Sequence, residues 1–285
     1  MKSLFLVNRR SGVRRHRDVA ALIRRACAGD FEIGDCDDLD RVIERAIADG
    51  VDVVYAVGGD GTVHEVAKRL IGPPLALGVV PTGSGNGFAR HIGLPIDIGG
   101  SLRSSRQQRI VTIDTATVNG EPFIGTMGIG FDAWVAHHFA SSGMRGLRTY
   151  VALAARGFLR FASEEYELTV DGASERRRAF LIAVANASQY GNNARIAPVA
   201  SLQDGVLDVV VVEKLSVLAI PRLFTGTLDR ARGVRMMRGK RVEIRRSAAG
   251  PAHVDGEPVM LPALLTIEIV PQSLRVLVPD GATGL

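Results

Sequence analysis

Short apolar runs alternate with amphipathic stretches up to about residue 110. Residues 4–7, 51–57 and 75–80 are largely apolar, as strands buried on both faces of a sheet are. Apolar positions at helical spacing follow in residues 39–47 and 63–70. Strands that alternate with helices in this way predict a parallel sheet flanked by helices.

The pattern changes after about residue 110, where short apolar strands follow one another with few helices between them. Asn119-Gly120 and Asp171-Gly172 are typical two-residue hairpin turns. Residues 133–161 and 216–232 are predicted to be helical. The predicted strands are 111–118, 123–127, 166–170, 180–185, 206–212, 242–245, 264–270 and 275–278. This arrangement predicts an antiparallel sandwich.

The change of pattern predicts an α/β domain followed by a β domain. Residues 1–115 would form an N-terminal α/β domain with a parallel sheet, and residues 116–285 a C-terminal antiparallel β-sandwich. This division allows the extreme C-terminus of the chain to return to the first domain. A chain of 285 residues has room for two domains of ordinary size.

The composition favours an anionic partner. The chain is 46% hydrophobic and 23% charged, with a net charge of +5. Basic residues cluster between Arg222 and Arg246, which suits either a solvated face or contact with an anionic membrane surface. With 5% aromatic residues and no nucleic-acid-binding module, nucleic acid is not expected as a partner.

The sequence predicts a cytoplasmic protein. The two cysteines, Cys27 and Cys36, show no disulfide framework or metal spacing. There is no recognisable signal peptide, and no apolar run approaches the length of about 18 residues that a spanning helix needs. Contact with a membrane is therefore expected to be peripheral.

Two glycine-rich turns follow predicted strands of the first domain, at 58–62 and at 83–87. Glycines at a strand-to-helix turn let backbone N–H groups approach an anion such as phosphate. Because ligands bind parallel sheets beyond the carboxyl ends of the strands, both turns are expected to face one crevice. Asp60 adds a negative charge, which predicts binding of a cation such as the Mg²⁺ of a nucleoside triphosphate. The alternative is a glycine-rich connection with a solvated aspartate.

The sequence allows two interpretations for each of several other segments. The basic loop 8–12 suits phosphate or is simply solvated. In 255–257 an acid could take a proton from a hydroxyl, or the segment is only a hairpin turn. Asp204 could bind Mg²⁺ or could begin a turn. Asp114 lies within an apolar strand and needs a partner if its side of the strand is buried.

Taken together, these residues resemble the catalytic domain shared by diacylglycerol kinases, sphingosine and ceramide kinases, and their bacterial relatives. Four segments carry the resemblance in order along the chain, namely 8–12, 58–62, 83–90 and 255–257. The first glycine motif is also shared with NAD kinases. Its combination with the second glycine turn and the late Asp-Gly-Glu is the specific signal.

The resemblance implies an N-terminal domain like that of NAD kinase or phosphofructokinase, with ATP bound in a cleft between the domains. The residues that match the nucleotide site are Asn8, Gly58, Gly59, Asp60, Gly61, Thr62, Val63, His64, Gly83, Ser84 and Asn86. Asp60 would act on the Mg²⁺ of the nucleotide.

The resemblance also implies roles for acids of both domains. Glu257 matches the proton acceptor of the family and Asp255 its neighbour, so these two residues and Asp60 form the predicted catalytic set. A second, structural Mg²⁺ site is matched by the carbonyls of Ser201 and Val206 and the carboxylate of Asp204. Asp114 matches an acidic position near the active site and is included among the predicted metal residues.

The implied function is transfer of the γ-phosphoryl group of ATP to a lipid hydroxyl, with diacylglycerol or a related lipid as the acceptor. The implied partners are then a lipid substrate and an anionic membrane surface. A second copy of the chain, forming a homodimer, is a further possible partner. The helical segment 133–161 is a candidate for part of a lipid groove. The alternatives are a kinase of a soluble acceptor, as NAD kinases are, and a non-catalytic nucleotide- or lipid-binding protein.

Two positions depart from the family pattern. Arg9 stands where proline usually follows the asparagine of the first loop, and Gly87 stands where many bacterial members have an aspartate. The loss of that carboxylate puts part of the expected Mg²⁺ network in question.

Overall fold

The computed structural model describes residues 1–8, 16–27, 29–104, 107–141, 147–158, 160–214, 216, 219–282 and 285. The chain divides into two compact units. The first unit contains Met1–Asp114 and Pro271–Leu285, and the second contains Thr115–Val270. Two strands, β5 (Gln108–Val118) and β16 (Leu264–Pro279), run from one unit into the other.

The first unit is a parallel α/β structure. Its own strands are β1 (Ser3–Val7), β2 (Phe31–Asp35), β3 (Val53–Gly58) and β4 (Ala76–Pro81). Its helices are α1 (His16–Ala26), α2 (Leu39–Ala48), α3 (Asp60–Leu70), α4 (Gly87–His91) and α5 (Ile98–Ser104). The strands lie parallel in the order β2-β1-β3-β4, and the end of β16 adds a further parallel strand beside β4.

The core of the first unit explains why the central strands β3 and β4 have no polar side. Every residue of β3 and of β4 is buried. Phe5 of β1 stacks on Tyr55 of β3 with their ring centroids 4.3 Å apart, and Ile23 of α1 belongs to the same buried cluster. Strands covered on both faces need apolar side chains on both, which is the pattern that the sequence shows.

The second unit is built of antiparallel sheets. Its strands besides those shared with the first unit are β6 (Glu121–Phe123), β7 (Thr126–Gly130), β8 (Glu164–Val170), β9 (Ala173–Ala179), β10 (Leu181–Ala185), β11 (Leu207–Val212), β12 (Val234–Gly239), β13 (Arg241–Arg245), β14 (Gly250–Val254) and β15 (Glu257–Leu261). One sheet has the order β12-β11-β10-β7-β14-β15. In the other, β16 pairs with β13, β13 with β8 and β8 with β9.

The two sheets of the second unit share one core, as the predicted sandwich requires. Met127 and Ile182 of the first sheet lie in the same buried cluster as Leu168, Ile244 and Ile267 of the second. The helices of this unit are α6 (Phe131–Ser141), α7 (Leu147–Phe158) and α8 (Ile220–Thr225), and a short 3-10 helix follows at Leu228–Arg230. Phe131 and Val135 of α6 pack on the opposite face of the six-stranded sheet.

Three local predictions are wrong. The expected strand 123–127 is split between β6 and β7, which belong to different sheets. The expected strands 264–270 and 275–278 are one continuous strand, β16. The expected helix 216–232 contains the short helix α8, which ends at Gly226 because that residue takes a left-handed φ of 68°. An apolar run does not show where a chain changes sheet, and a glycine in a helical pattern is easily passed over.

None of the helices in the described ranges combines the length and the apolar character that crossing a bilayer requires.

Candidate active site

Two glycine turns of the first unit pack backbone against backbone where β3 and β4 end. A Cβ atom placed on Gly83 would lie 2.5 Å from the Cα of Gly59. The amide of Thr82 donates to the carbonyl of Gly58 at 2.8 Å, which keeps the two turns in register. Because a side chain at Gly83 would collide with the backbone of Gly59, the close packing of the turns depends on glycine.

The carboxylate of Asp60, the first residue of α3, ties the two turns together. Its Oδ2 accepts the amide hydrogen of Asn86 at 2.8 Å, and its Oδ1 accepts that of Gly87 at 2.7 Å. Both amides lie at the start of α4, where helix N–H groups have no partner within the helix. Hydrogen bonds to a charged acceptor are strong, so Asp60 has a structural role in addition to any role toward a cation.

The second turn is closed by its own asparagine. Asn86 takes a left-handed φ of 51° and is 3% exposed. Its Oδ1 accepts the amide hydrogen of Gly83 at 3.1 Å, and its Nδ2 donates to the carbonyl of Gly83 at 2.8 Å. Gly87, where an acid was expected, supplies a backbone donor to Asp60. The second turn is therefore held by hydrogen bonds between Asn86 and Gly83, and position 87 contributes a backbone N–H group instead of a carboxylate.

The end of β1 adjoins the first glycine turn. Asn8 donates from Nδ2 to the Thr62 hydroxyl at 2.8 Å. The predicted nucleotide residues of the first unit are thus brought together by backbone contacts and by these side chains. Ser84 is exposed, Asp60 is half-buried, and His64 is buried within α3. The rest of the predicted basic loop, residues 9–12, lies outside the described residues.

The Asp-Gly-Glu segment is a tight turn between β14 and β15. Asp255 and Gly256 have φ angles of 49° and 85°, as a two-residue hairpin turn requires. The carboxylate of Asp255 accepts three backbone N–H groups, those of Ile124 at 3.0 Å, Gly125 at 2.8 Å and Thr126 at 3.0 Å. Asp255 therefore fastens the hairpin to the link between β6 and β7.

Glu257, by contrast, keeps its carboxylate exposed. It is the first residue of β15 and pairs through its backbone with Val254. Within the described part of the chain, the structure shows no hydrogen bond or ion pair to its side chain. An accessible carboxylate on a rigid turn is suited to accept a proton.

Asp204 is engaged by an arginine. Its Oδ1 accepts the amide hydrogen of Val206 at 3.3 Å, and its Oδ2 lies against the guanidinium of Arg238. The Nε of Arg238 also lies 3.4 Å from Oδ1 of the buried Asp208. Burial raises the pKa of Asp208 to about 6, with Arg238 lowering it and Asp204 raising it further. A positive charge thus already lies where a second Mg²⁺ was predicted.

Asp114 is 2% exposed and accepts the amide hydrogen of Gln272 at 2.8 Å through Oδ1. Gln272 has a φ of 48°, so this bond joins β5 to an unusual backbone position in β16. Among the residues described, no group of three or more histidine, cysteine or acidic side chains could hold a metal ion.

Comparison with known proteins gives this arrangement a family. Residues 2–118 match the diacylglycerol kinase catalytic domain, and residues 125–278 match the YegS C-terminal NAD kinase beta sandwich-like domain. The second match alone spans more than half of the chain. The chain belongs to the YegS and diacylglycerol kinase family.

Relatives and a solved structure agree with this family. The chain is 29% identical over 267 residues to diacylglycerol kinase of Mycobacterium tuberculosis (strain ATCC 25618 / H37Rv), which covers 86% of this chain and 83% of that one. It is 27% identical over 251 residues to a protein of Synechocystis sp. (strain ATCC 27184 / PCC 6803 / Kazusa), covering 83% of this chain but only 57% of the relative. The crystal structure of a diacylglycerol kinase from Bacillus anthracis str. Sterne matches with a TM-score of 0.77 at 20% identity, covering 99% and 98% of the two chains.

These comparisons confirm the predicted family, and the predicted fold of an α/β domain followed by a β-sandwich is confirmed as well. A match to a kinase catalytic domain implies the use of ATP. The residue roles that the resemblance implies remain predictions.

Part of the basic stretch of this diacylglycerol kinase family member is neutralised by carboxylates. Four arginines have carboxylate partners, namely Arg235 with Glu175, Arg238 with Asp204, Arg241 with Glu243 and Glu268, and Arg245 with Glu167. Arg246 is buried and donates to the carbonyls of Gly250, Pro251 and Leu261. In the described ranges no carboxylate pairs with Arg222, Arg230, Arg232 or Lys240. The surface open to an anionic partner is therefore narrower than the sequence indicates.

The described part of the predicted lipid-contacting segment packs on the sandwich. Phe131 and Val135 of α6 are buried, while Trp134, Ala154 and Phe158 are partly buried against the same cluster. Residues 142–146 and 159 of this segment lie outside the described residues.

Sequence reasoning missed the backbone that Asp255 binds. The three amides of Ile124, Gly125 and Thr126 are about 130 residues away from Asp255 along the chain. The sequence contains no signal for such a contact except Gly125, where a Cβ would lie 2.9 Å from the Asp255 carboxylate.

Proposed function

We propose that this protein is an ATP-dependent lipid kinase that transfers the γ-phosphoryl group to the hydroxyl of diacylglycerol or a related lipid. The observation that carries the proposal is the pair of glycine turns locked together by Asp60, in a chain of the diacylglycerol kinase family. Phosphoryl transfer asks a protein mainly for positioning and for neutralisation of charge, and this arrangement offers both.

On the nucleotide side, the phosphates would lie against the first turn and the N-terminus of α3. Gly59 and Gly61 are half-exposed, and the first N–H groups of a helix are natural donors to phosphate. Asn8, Thr62, Val63, His64, Gly83, Ser84 and Asn86 would shape this site. Mg²⁺ would arrive with ATP as part of the substrate, and Asp60 is the acid nearest to the turn that could attract it.

On the acceptor side, Glu257 would take the proton of the lipid hydroxyl as it attacks. Its carboxylate is accessible, and the Asp255 contacts hold the turn that carries it. The acyl chains would lie in the membrane or along the partly buried apolar side chains of α6 and α7, which are Trp134, Ala154 and Phe158. The second Mg²⁺ at Ser201, Asp204 and Val206 would have to displace Arg238 from Asp204.

A radiolabel assay tests the proposal directly. The protein is incubated with γ-labelled ATP and Mg²⁺ and with diacylglycerol, sphingosine or ceramide in mixed micelles, with NAD as a soluble acceptor in parallel. We expect label in a lipid and none in NAD. Label in NAD alone would favour the soluble-acceptor alternative, since the second unit also matches an NAD kinase beta sandwich-like domain. No transfer to any acceptor would overturn the kinase proposal.

We further propose that the protein works at an anionic membrane surface from the cytoplasm. On α8, the partly exposed Arg222, which has no carboxylate partner among the described residues, lies two residues from the 54% exposed Phe224. Each basic residue near an anionic bilayer contributes about 1 kcal/mol. We expect Arg222→Gln with Arg230→Gln to weaken flotation with anionic vesicles by about tenfold or more. Arg241→Gln is the matched control, because that arginine is already paired with Glu243 and Glu268.

A further inference from the structure

A chain of three polar side chains, of which Asp132 and His253 are buried and Tyr190 is partly buried, links α6 to the hairpin that carries Glu257. Asp132, at the start of α6, accepts the hydroxyl hydrogen of Tyr190 at 2.8 Å and a hydrogen bond from Nε2 of His253 at 3.1 Å, both on Oδ2. Its Oδ1 accepts the amide hydrogen of Ala133 at 2.8 Å. Asp132 is 7% exposed and His253 is 3% exposed. Because a carboxylate only accepts, Nε2 of His253 carries the hydrogen in this contact.

The backbone of β7 is shaped to admit this contact. Gly128 pairs with His253 across β7 and β14. A Cβ atom on Gly128 would overlap the carboxylate of Asp132 and would lie 2.5 Å from Nε2 of His253. Glycine at this position therefore leaves the space in which the histidine and the aspartate meet.

The same helix holds the other strand of the hairpin. His137, one turn and a half along α6 from Asp132, contacts the carbonyl oxygen of Val259 in β15 through Nε2 at 2.9 Å. A carbonyl oxygen only accepts, so Nε2 of His137 is the donor. Helix α6 therefore hydrogen-bonds to both strands of the hairpin. Asp132 contacts His253 of β14, and His137 contacts Val259 of β15.

We propose that α6 is the positioning element for Glu257, acting through His253 on one strand of the hairpin and His137 on the other. The inference rests on the proposed function, because it takes Glu257 as the group that accepts the proton. The two contacts fix the hairpin laterally, while the Asp255 carboxylate fixes its tip. Because a displacement of about 1 Å at a reacting group can cost about a hundredfold in rate, contacts that hold Glu257 in place are expected to affect kcat.

His137→Ala is the first test, because His137 is only half-buried and its loss is compatible with folding. We expect kcat to fall by about tenfold with the KM for ATP unchanged, since the nucleotide turns are untouched. His137→Gln keeps an N–H donor near the position of Nε2, and we expect it to restore kcat. Met260→Ala is the control, since Met260 is on β15 and 65% exposed.

His253→Leu and His253→Gln form the second pair, with the same expectations for kcat, and their folding is checked by circular dichroism. Hydrogen–deuterium exchange at 250–261 supplies a readout that needs no turnover. We expect faster exchange at these residues in His137→Ala and His253→Leu, and wild-type exchange in the glutamine variants and in Met260→Ala.

Unchanged kcat and unchanged exchange in folded His137→Ala and His253→Leu would overturn the inference. So would a fall in kcat that the glutamine variants fail to restore. Failure of the proposed function is a separate result, in which the wild-type protein transfers no phosphoryl group while the exchange of the hairpin still depends on the two histidines.

Discussion

The turn at Asp60 and the turn at Asp255 hold their carboxylates in similar ways but leave different groups accessible. Both acids precede a glycine, and both bind backbone N–H groups that are distant in sequence. Around Asp60 the half-exposed groups are glycine backbone and the start of α3. Beside Asp255 the accessible group is the carboxylate of Glu257.

The difference follows from the strands that the turns connect. The Asp60 turn leads from a parallel strand into a helix, so its free groups are helix N–H donors, which attract anions. The Asp255 turn joins the antiparallel strands β14 and β15, whose facing backbone groups pair with each other, and the acid that it exposes is the side chain of Glu257. One turn is suited to hold a phosphate and the other to accept a proton.

The strongest test of this contrast is Glu257→Gln. If Glu257 accepts the proton, we expect kcat to fall by about a thousandfold, within the usual range of general base catalysis. Because its carboxylate is exposed, the thermal midpoint should stay at the wild-type value. Radiolabel transfer and differential scanning fluorimetry measure the two quantities. Activity within a few fold of wild type would mean that Glu257 is not the proton acceptor.

Asp255→Ala and Asp60→Ala compare directly how much the carboxylate-to-backbone hydrogen bonds of the two turns stabilise the protein. Asp255→Ala removes the acceptor of three N–H groups and should lower the free energy of unfolding by about 3 kcal/mol. Asp60→Ala removes the acceptor of two N–H groups and should lower it by about 2 kcal/mol. Urea unfolding measures both. Asp255→Asn is the control for the left-handed backbone, since asparagine tolerates a φ of 49°. If Asp60→Ala were less stable than Asp255→Ala, the Asp60 carboxylate would contribute more to stability than the Asp255 carboxylate, which would contradict the prediction.

Gly83→Ala tests whether the backbone packing of the first site is needed. The added methyl group must push against Gly59, and such overpacking costs about 1–3 kcal/mol. We expect weaker ATP binding by about tenfold in calorimetry, corresponding to about 1.4 kcal/mol. Gly281→Ala is the matched control, because a Cβ there meets nothing within 4 Å. Equal ATP affinity in both variants would show that the two turns accommodate the added methyl group without loss of ATP binding.

Arg238→Gln concerns the Asp204-Gly205 turn, in which the carboxylate of Asp204 is paired with the side chain of Arg238. In the wild type, Mg²⁺ must compete with Arg238 at Asp204, so we expect little stabilisation by added MgCl₂ in the absence of nucleotide. In the variant the acids are left without their cation, and Mg²⁺ should stabilise by about 1 kcal/mol. Thermal shift with and without Mg²⁺ measures this. Equal Mg²⁺ stabilisation of both proteins would contradict competition by Arg238.

Much of the fold was predictable because it depends on local patterns. Apolar runs with helical stretches between them predicted the parallel unit, and Asn119-Gly120 and Asp171-Gly172 predicted hairpin turns that the structure shows with positive φ angles. The wrong strand at 123–127 has a specific reason. The chain changes sheet at Ile124 and Gly125, and what stabilises that change is the carboxylate of Asp255, which no local window includes.

The sequence by itself determined the chemistry available to this protein, because glycines at strand ends and acids beside glycines are visible as residue types. It also determined the family, because four such segments occur in order. The tertiary structure decided how each acid is used. Asp60 and Asp255 bind backbone, Asp204 binds Arg238, and Glu257 stays accessible. A carboxylate's role depends on the donors that folding brings within about 3 Å of it, and those donors come from distant parts of the chain.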